Sequence, residues 1–214
     1  MEKKYKLTEE TLEIDGLVLN RIIALRDFGE VKKGDLGGFI EKESNLAHDW
    51  NCWIYNDAVV RGNAMVYGNA MVYGEAMVCE EAKVCGNAKV CGEAMVCGEA
   101  MVCGNAKVCG EAMVCGNAKV CGEAMVYGEA MVYGEATVCG NAKVEKKSDY
   151  IVFKNWWSSG RYFTWTRSNY MWTVGCFYGT GEELIKKAYA DNEEKGREYE
   201  RVVKYVESIK SEIK

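Results

Sequence analysis

Residues 57–146 read DAVVRG, NAMVYG, NAMVYG, EAMVCE, EAKVCG, NAKVCG and onward to EATVCG and NAKVEK, fifteen hexads with no insertion or deletion between them. Each is Asn or Glu, then Ala, Met or Lys, Val, Cys or Tyr, and Gly. The preceding stretch, Asn51 to Asn56, is a degenerate sixteenth, with Cys52 and Ile54 in the Ala and Val places. Alanine, methionine, glutamate and lysine all favour helix taken singly, so the period has to decide. Six residues turn an α-helix through ~600°, which spirals the Ala/Val pairs around the axis instead of aligning them. A glycine in every hexad would also cost a helix ~1 kcal/mol each time. A strand has neither difficulty. Ala and Val, two apart, share one face, the Met or Lys between them takes the other, and glycine supplies a corner of positive φ. One hexad cannot bury its Ala/Val face alone, so the units must coil and stack.

Val66-Tyr67-Gly68-Asn69-Ala70, an aliphatic residue with a small one four places later, resembles the hexapeptide repeat of left-handed parallel β-helices, a family best known for acyltransferases. The resemblance covers residues 51–146 and implies three hexads per triangular coil. Tyr5-Lys6-Leu7, Asp27-Phe28, Val31-Lys32-x-Gly34, Gly37-Gly38 and Cys52-Trp53-Ile54-Tyr55 resemble the opening of YdcK-type hexapeptide proteins. Their acyltransferase label follows the fold, and fold alone does not give function. The expected fold class is all-β dominated: a left-handed parallel β-helix over residues 51–146, an N-terminal β cap over 1–50 and a small C-terminal α+β module over 147–214.

With three hexads to a coil, residues eighteen apart stack ~4.8 Å from one another, and sixteen hexads make just over five coils. The Ala/Val interior is too narrow for a ligand, so any activity must lie outside or at the ends. One outward column is uncharged: Val59, Met77, Met95, Met113 and Met131, beside Arg61, Cys79, Cys97, Cys115 and Tyr133. Such a soft apolar strip is read as a self-association face, and relatives of this fold commonly form trimers. Repeat duplication alone would also produce it. The stacked thiols Cys79, Cys97, Cys115, Cys85, Cys103 and Cys121 are candidate ligands for a soft metal. Against a metal site stands the lack of any CxxC pair or Cys/His cluster; inert filler is the competing reading. Stacked Cα atoms also fall in the disulfide window, so adventitious oxidation is open to them. At one corner, Asp57, Glu75, Glu93, Glu111 and Glu129 form an acidic edge facing solvent. Asn69, Asn87 and Asn105, at another, can hydrogen-bond amide to amide.

A solenoid's open ends call for caps. Leu12 to Asp15 and Leu17 to Leu25 read as a hairpin about Asp15-Gly16, and Gly34 to Gly38 as a tight loop into the first coil. After Lys146, Asp149–Phe153, Arg161–Thr166 and Met171–Tyr178 read as a three-stranded antiparallel meander. Thr180 with Glu183 is a capping box opening a helix around Leu184 to Tyr189. Tyr199, Val202, Val203, Val206, Ile209 and Ile213 mark an amphipathic helix. The module resembles one on phage and bacterial proteins, around Gly175-Cys176-Phe177-Tyr178-Gly179-Thr180. Trp156, Trp157, Trp165 and Trp172 with Arg161 and Arg167 offer either the core of this short module or an aromatic, basic platform for a glycan or protein.

The net charge of -5 argues against nucleic-acid binding through a basic face. No apolar run approaches the ~18 residues of a membrane span, and the N-terminus lacks a signal-peptide pattern. The cytoplasm is therefore expected, with the eleven cysteines reduced. His48, the sole histidine, is the candidate catalytic base if the chain is an acyltransferase using coenzyme A, since family enzymes typically use one. The favoured function is a non-enzymatic scaffold or binding protein without a cofactor. It would self-associate as a trimer or dimer through Met77, Met95, Met113 and Met131, or hold a partner at its C-terminal module.

Overall fold

The computed structural model describes residues 3–156 and 158–212. Three strands open the chain: β1 (Tyr5–Ile14), β2 (Leu17–Ala24) and β3 (Leu36–Ile40). Sixteen two-residue strands follow, β4 (Trp53–Ile54) to β19 (Lys143–Val144). Then come β20 (Tyr150–Lys154), β21 (Tyr162–Thr166), β22 (Met171–Val174), β23 (Phe177–Gly179) and the helices α1 (Gly181–Asp191) and α2 (Glu193–Ile209).

The hexads wind three to a coil. Met77 pairs in parallel with Met95, Met95 with Met113 and Met113 with Met131, while Lys89 pairs with Lys107 on a second side and Met101 with Lys119 on the third. Each rung donates to the next coil, as in Met95 N–H to Ala112 C=O and Cys97 N–H to Val114 C=O, both 2.9 Å. The Ala of every hexad and the Val two places on, Val60 to Val144, point inward and have no exposed surface, which leaves the interior filled, while Val59 in the outward column packs with Leu19 and Phe39.

The coil count exceeds the one expected from the hexads, because the cap itself starts the solenoid. Ile40 pairs in parallel with Val60 and Leu46 with Val66, so a coil precedes the first regular one. Gly37 and Gly38 lie inside β3 instead of forming a loop. A Cβ on Gly37 would meet the Ile54 carbonyl at 2.7 Å, so only glycine lets β3 approach the coil. Leu46 and Val66 are twenty apart where Ile54 and Val72 are eighteen apart. Two extra residues are therefore accommodated between Leu46 and Ile54, where Trp50 takes a φ of 59°.

The hairpin turns at Asp15-Gly16 as expected, with β1 longer than its apolar run, reaching back to Tyr5. Its Leu12, Ile14 and Leu19 pack on Phe39, Val59 and Met77, closing the upper end of the methionine face. Two arginines fix it there. Arg21 donates to the Gly37 and Asn56 carbonyls and to Asp57, and Arg61 pairs with Asp15 at 3.1 Å.

The C-terminal sheet has four strands where three were expected, because Gly175 (φ 59°) turns the chain between β22 and β23. Thr180 and Glu183 form the reciprocal capping box of α1. The apolar stripe of the second helix runs through Tyr199, Val203 and Val206; Ile213 lies outside the described residues. The module seals the last coil by supplying acceptors where the next coil would be. Thr137 N–H donates to Thr164 Oγ1 at 2.9 Å and Lys143 N–H to Ser168 Oγ at 2.6 Å. No helix is long and apolar enough to cross a membrane among the described residues.

Candidate functional site

His48 sits in the two-residue insertion, where the first coil bulges outward. Its Nδ1 accepts the Lys4 backbone N–H at 3.1 Å, so the ring proton must be on Nε2, which faces Glu43 Oε1 at 2.9 Å. The ring stacks on Tyr5 with centroids 4.4 Å apart. Glu43 is held below the usual carboxylate range by its hydrogen bond from Lys3, then by that from His48. Both imidazole nitrogens are thus engaged within the cap. In this arrangement His48 ties the start of β1 to the first coil.

Beneath it lies a pair the sequence did not single out. Lys4 is fully buried, and its Nζ donates to the Cys52 carbonyl at 2.8 Å and the Cys52 thiol at 3.2 Å, over the Phe28 ring. Burial lowers the Lys4 pKa and raises that of Cys52. Cys52 occupying an Ala place in the degenerate hexad was the available signal.

The methionine face is less open than its sequence suggested. Met77, Met95, Met113 and Met131 are all half-buried, because each thioether lies against the rungs above and below, and Met77 is also partly covered by the hairpin. Cys79 is buried beside it, while Cys97 and Cys115 are half-buried. Burial, then the neighbouring Cys79 and Cys115, pushes the Cys97 thiol up to about 12. On the third side, the stack runs Tyr67, Cys85, Cys103, Cys121, Cys139. The hydrogen bond to Cys85, then burial, pushes Tyr67 up to about 12. Cys121 and Cys139 lie at disulfide distance with Cα atoms 4.7 Å apart, and the other nine cysteines are free. Vertical stacking places every such pair within the Cα range that a disulfide spans.

For the metal candidates Cys79, Cys97, Cys115, Cys85, Cys103 and Cys121, stacking yields a file rather than a cage. No group of three His, Cys, Asp or Glu arranged for a metal ion occurs among the described residues. Two corners behave as their chemistry requires. Asn69 donates to Asn87 at 3.1 Å and Asn87 to Asn105 at 3.0 Å, while Glu75, Glu93, Glu111 and Glu129 stand exposed, the last three along an open depression.

The aromatic platform does not assemble from the residues first grouped. Trp165 and Trp172 are only 3 % and 2 % exposed and form the module's core with Phe163, Tyr199 and Leu184, since a unit this short needs large apolar side chains to fill it. Arg167 turns to Asp149, and Arg161 faces the helices. Trp157 lies outside the described residues. Among the described residues of the group, Trp156 is the tryptophan displayed, at 73 % exposure, with Lys154 Nζ 4.9 Å from its ring and 3.9 Å from that of Tyr162. Exposed Tyr205 lies edge-on to Phe153, on the helix-covered side of β20. Tyr205 escaped notice because α2 and β20 are far apart in sequence.

These features define a class: a self-capped, three-sided β-solenoid carrying a small sheet-and-helix module. The repeat is of the YdcK hexapeptide type, for the family model described as the YdcK β-solenoid repeat matches residues 64–80. A relative from Escherichia coli (strain K12), called "Uncharacterized acetyltransferase YdcK", is 40 % identical over 76 residues. That similarity spans 28 % of this chain and 23 % of the relative, so the chain matches under a quarter of that protein's length.

Proposed function

We propose that the protein is a non-enzymatic scaffold, a stiff rod that associates with copies of itself through the Met77–Met131 face and carries its C-terminal module at one end. The observation supporting this is the unbroken lateral surface. From Val59 to Val144 the strands follow at strict six-residue intervals, no loop leaves the coils, and the interior is solid. A continuous hydrogen-bonded rod keeps its shape, and an uncharged column of half-exposed thioethers adapts to an apposed copy. The location inferred for such a rod is the cytoplasm.

The test is the mass in solution. Size-exclusion chromatography with light scattering should give a dimer or trimer for the native chain, and Met95→Lys with Met113→Lys should give a monomer with the same circular dichroism. A native monomer at high protein concentration would remove the self-association.

The second reading is an acyltransferase using coenzyme A, favoured by the relative's printed name. Its place would be the insertion at His48-Asp49-Trp50, where Trp50 is 71 % exposed. The scaffold reading expects no calorimetric binding of acetyl-coenzyme A. Saturable binding that His48→Ala abolishes would replace the scaffold with the enzyme.

A further inference from the structure

Lys4 and Cys52 meet in the interior where the cap joins the solenoid, and neither has exposed surface. Among the described residues, both hydrogen bonds of the Lys4 Nζ go to Cys52, to its carbonyl at 2.8 Å and to its sulfur at 3.2 Å. The thiol hydrogen is directed elsewhere, to the Ala47 carbonyl at 3.4 Å, with the Asp49 carbonyl at 3.7 Å. The Phe28 ring covers the ammonium, its centroid 5.0 Å away. Buried ammonium groups are ordinarily answered by a carboxylate; this one is answered by a thiol. A methionine at position 4, and at position 52 the alanine that the repeat carries, would fill the interior without that cost.

The geometry and the setting together select a chemistry. Burial outweighs the charges of Cys52 and Asp49, so the Lys4 amine sheds its proton more readily than an exposed lysine, while the Cys52 thiol keeps its own. A neutral amine and a neutral thiol are thus held nitrogen to sulfur. Their 3.2 Å contact approaches the span of a bridge through a single oxygen atom and is far longer than a direct nitrogen–sulfur bond. The enclosed apolar surroundings disfavour charged or strongly hydrated reagents. Dioxygen is small and uncharged, and it carries no hydration shell to lose.

We propose that Lys4 and Cys52 form a site of reversible covalent modification, in which dioxygen joins Nζ to Sγ through one oxygen atom and staples the start of β1 to the first coil. The ammonium first gives up one proton. The neutral amine, the thiol and one dioxygen then yield the Nζ(H)–O–Sγ bridge and one water. One N–H, the S–H and the O=O bond break; N–O, O–S and two O–H bonds form. Nitrogen and sulfur each lose two electrons, and those four reduce dioxygen. One of its atoms becomes the bridge, and the other leaves as water with one amine hydrogen and the thiol hydrogen. Four thiols of a reductant reverse the change, giving two disulfides, water, the amine and the Cys52 thiol. The new bond closes a loop between residues 48 apart, which holds the hairpin and β3, so the oxidised chain resists unfolding. This modification requires neither self-association nor an enzymatic role.

The experiment purifies the full-length protein under nitrogen with dithiothreitol, removes the reductant and divides the sample between nitrogen and air. Digestion at low pH and mass mapping should find, in air only, the Lys4 peptide joined to the Cys52 peptide. The joined mass should be the sum of the two plus one oxygen less two hydrogens, and dithiothreitol should release both peptides. This reading needs no variant. The air-exposed chain should also unfold at a higher urea concentration than it does after dithiothreitol. That shift should shrink in Lys4→Met and in Cys52→Ala, which leave the other thiols unchanged. The proposal is overturned if air leaves the two peptides separate, if the joined mass lacks the oxygen, or if Cys52 is found instead as a sulfinic acid or in a disulfide. It is equally overturned if dithiothreitol fails to release the peptides, or if Lys4→Met shifts as far as the native chain.

Discussion

Lys4 has no exposed surface, and burial holds its ammonium below the ordinary 10.5. The folded protein therefore releases that proton at a lower pH than the unfolded chain does. Between the folded value and 10.5 the unfolded chain binds more protons, so this group makes stability rise with pH and fall as pH drops through the folded value. Urea unfolding of native and Lys4→Met protein across the alkaline range below 10.5 should show the native chain gaining on the variant as pH rises. A difference that does not change with pH would mean that Lys4 is solvated. Gly98 is constrained in another way. It has φ 68°, and an added Cβ would meet the Gly116 backbone at 2.8 Å, whereas Gly134, at φ 66°, has nothing within 4 Å. Gly134→Ala should cost ~1–2 kcal/mol for the left-handed backbone alone. Gly98→Ala should cost ~2–4 kcal/mol, because the crowding adds to it. Equal costs by denaturant unfolding would show that the corners breathe enough to admit a methyl group.

The thiol file is a property of stacked elements, since no single hexad contains it. Burial and the neighbouring thiols keep Cys97 protonated up to about 12, and the protonated form is a poor nucleophile. A brief exposure to iodoacetamide at pH 8 should label exposed Cys176 first and Cys97 and buried Cys79 last, read by peptide mass mapping. Labelling of Cys97 as fast as Cys176 would indicate thiolates in the file and bring back the soft-metal reading. In α1, the Thr180 side chain accepts the Glu183 N–H at 3.2 Å. Thr180→Ala should lower stability by ~1 kcal/mol. Because α1 packs on the module core through Leu184 and Ala188, the melting of that module is what should move.

At the scale of the molecule, the two ends solve one problem with different means. The last coil has no successor to accept its N–H groups, and Thr164, Ser168 and Asp149 take that role, Asp149 Oδ2 accepting from Glu145 and Lys146 at 2.8 and 2.9 Å. The Tyr150 hydroxyl donates to the Met131 carbonyl at 3.0 Å, fixing the module to the methionine side. Tyr178 closes over Gly140, so near that no Cβ would fit there. A chain ending at Lys146 should therefore expose an unpaired strand edge and aggregate, seen as concentration-dependent light scattering. A truncated chain that stays monodisperse would show that the last coil needs no cover.

The hexads from Asp57 onward, read alone, determined a great deal: three to a coil, Ala and Val inside, Met over Met at eighteen residues, and the Asn69–Asn87–Asn105 file. Period and side-chain alternation are local, so they are written in order along the chain. The Thr180–Glu183 cap was legible for the same reason. The tertiary structure decided what depends on residues meeting from afar. It joined His48 to Lys4 and Glu43, put Trp165 and Trp172 in a core while leaving Trp156 outside, and set exposed Tyr205 of α2 edge-on to Phe153 of β20. Burial is set by which surfaces pack together, and a non-repeating stretch gives no register from which to infer that packing. The repeat carries its own register, so its architecture could be read in one dimension; the ends do not, and their chemistry exists only once the chain has closed on itself.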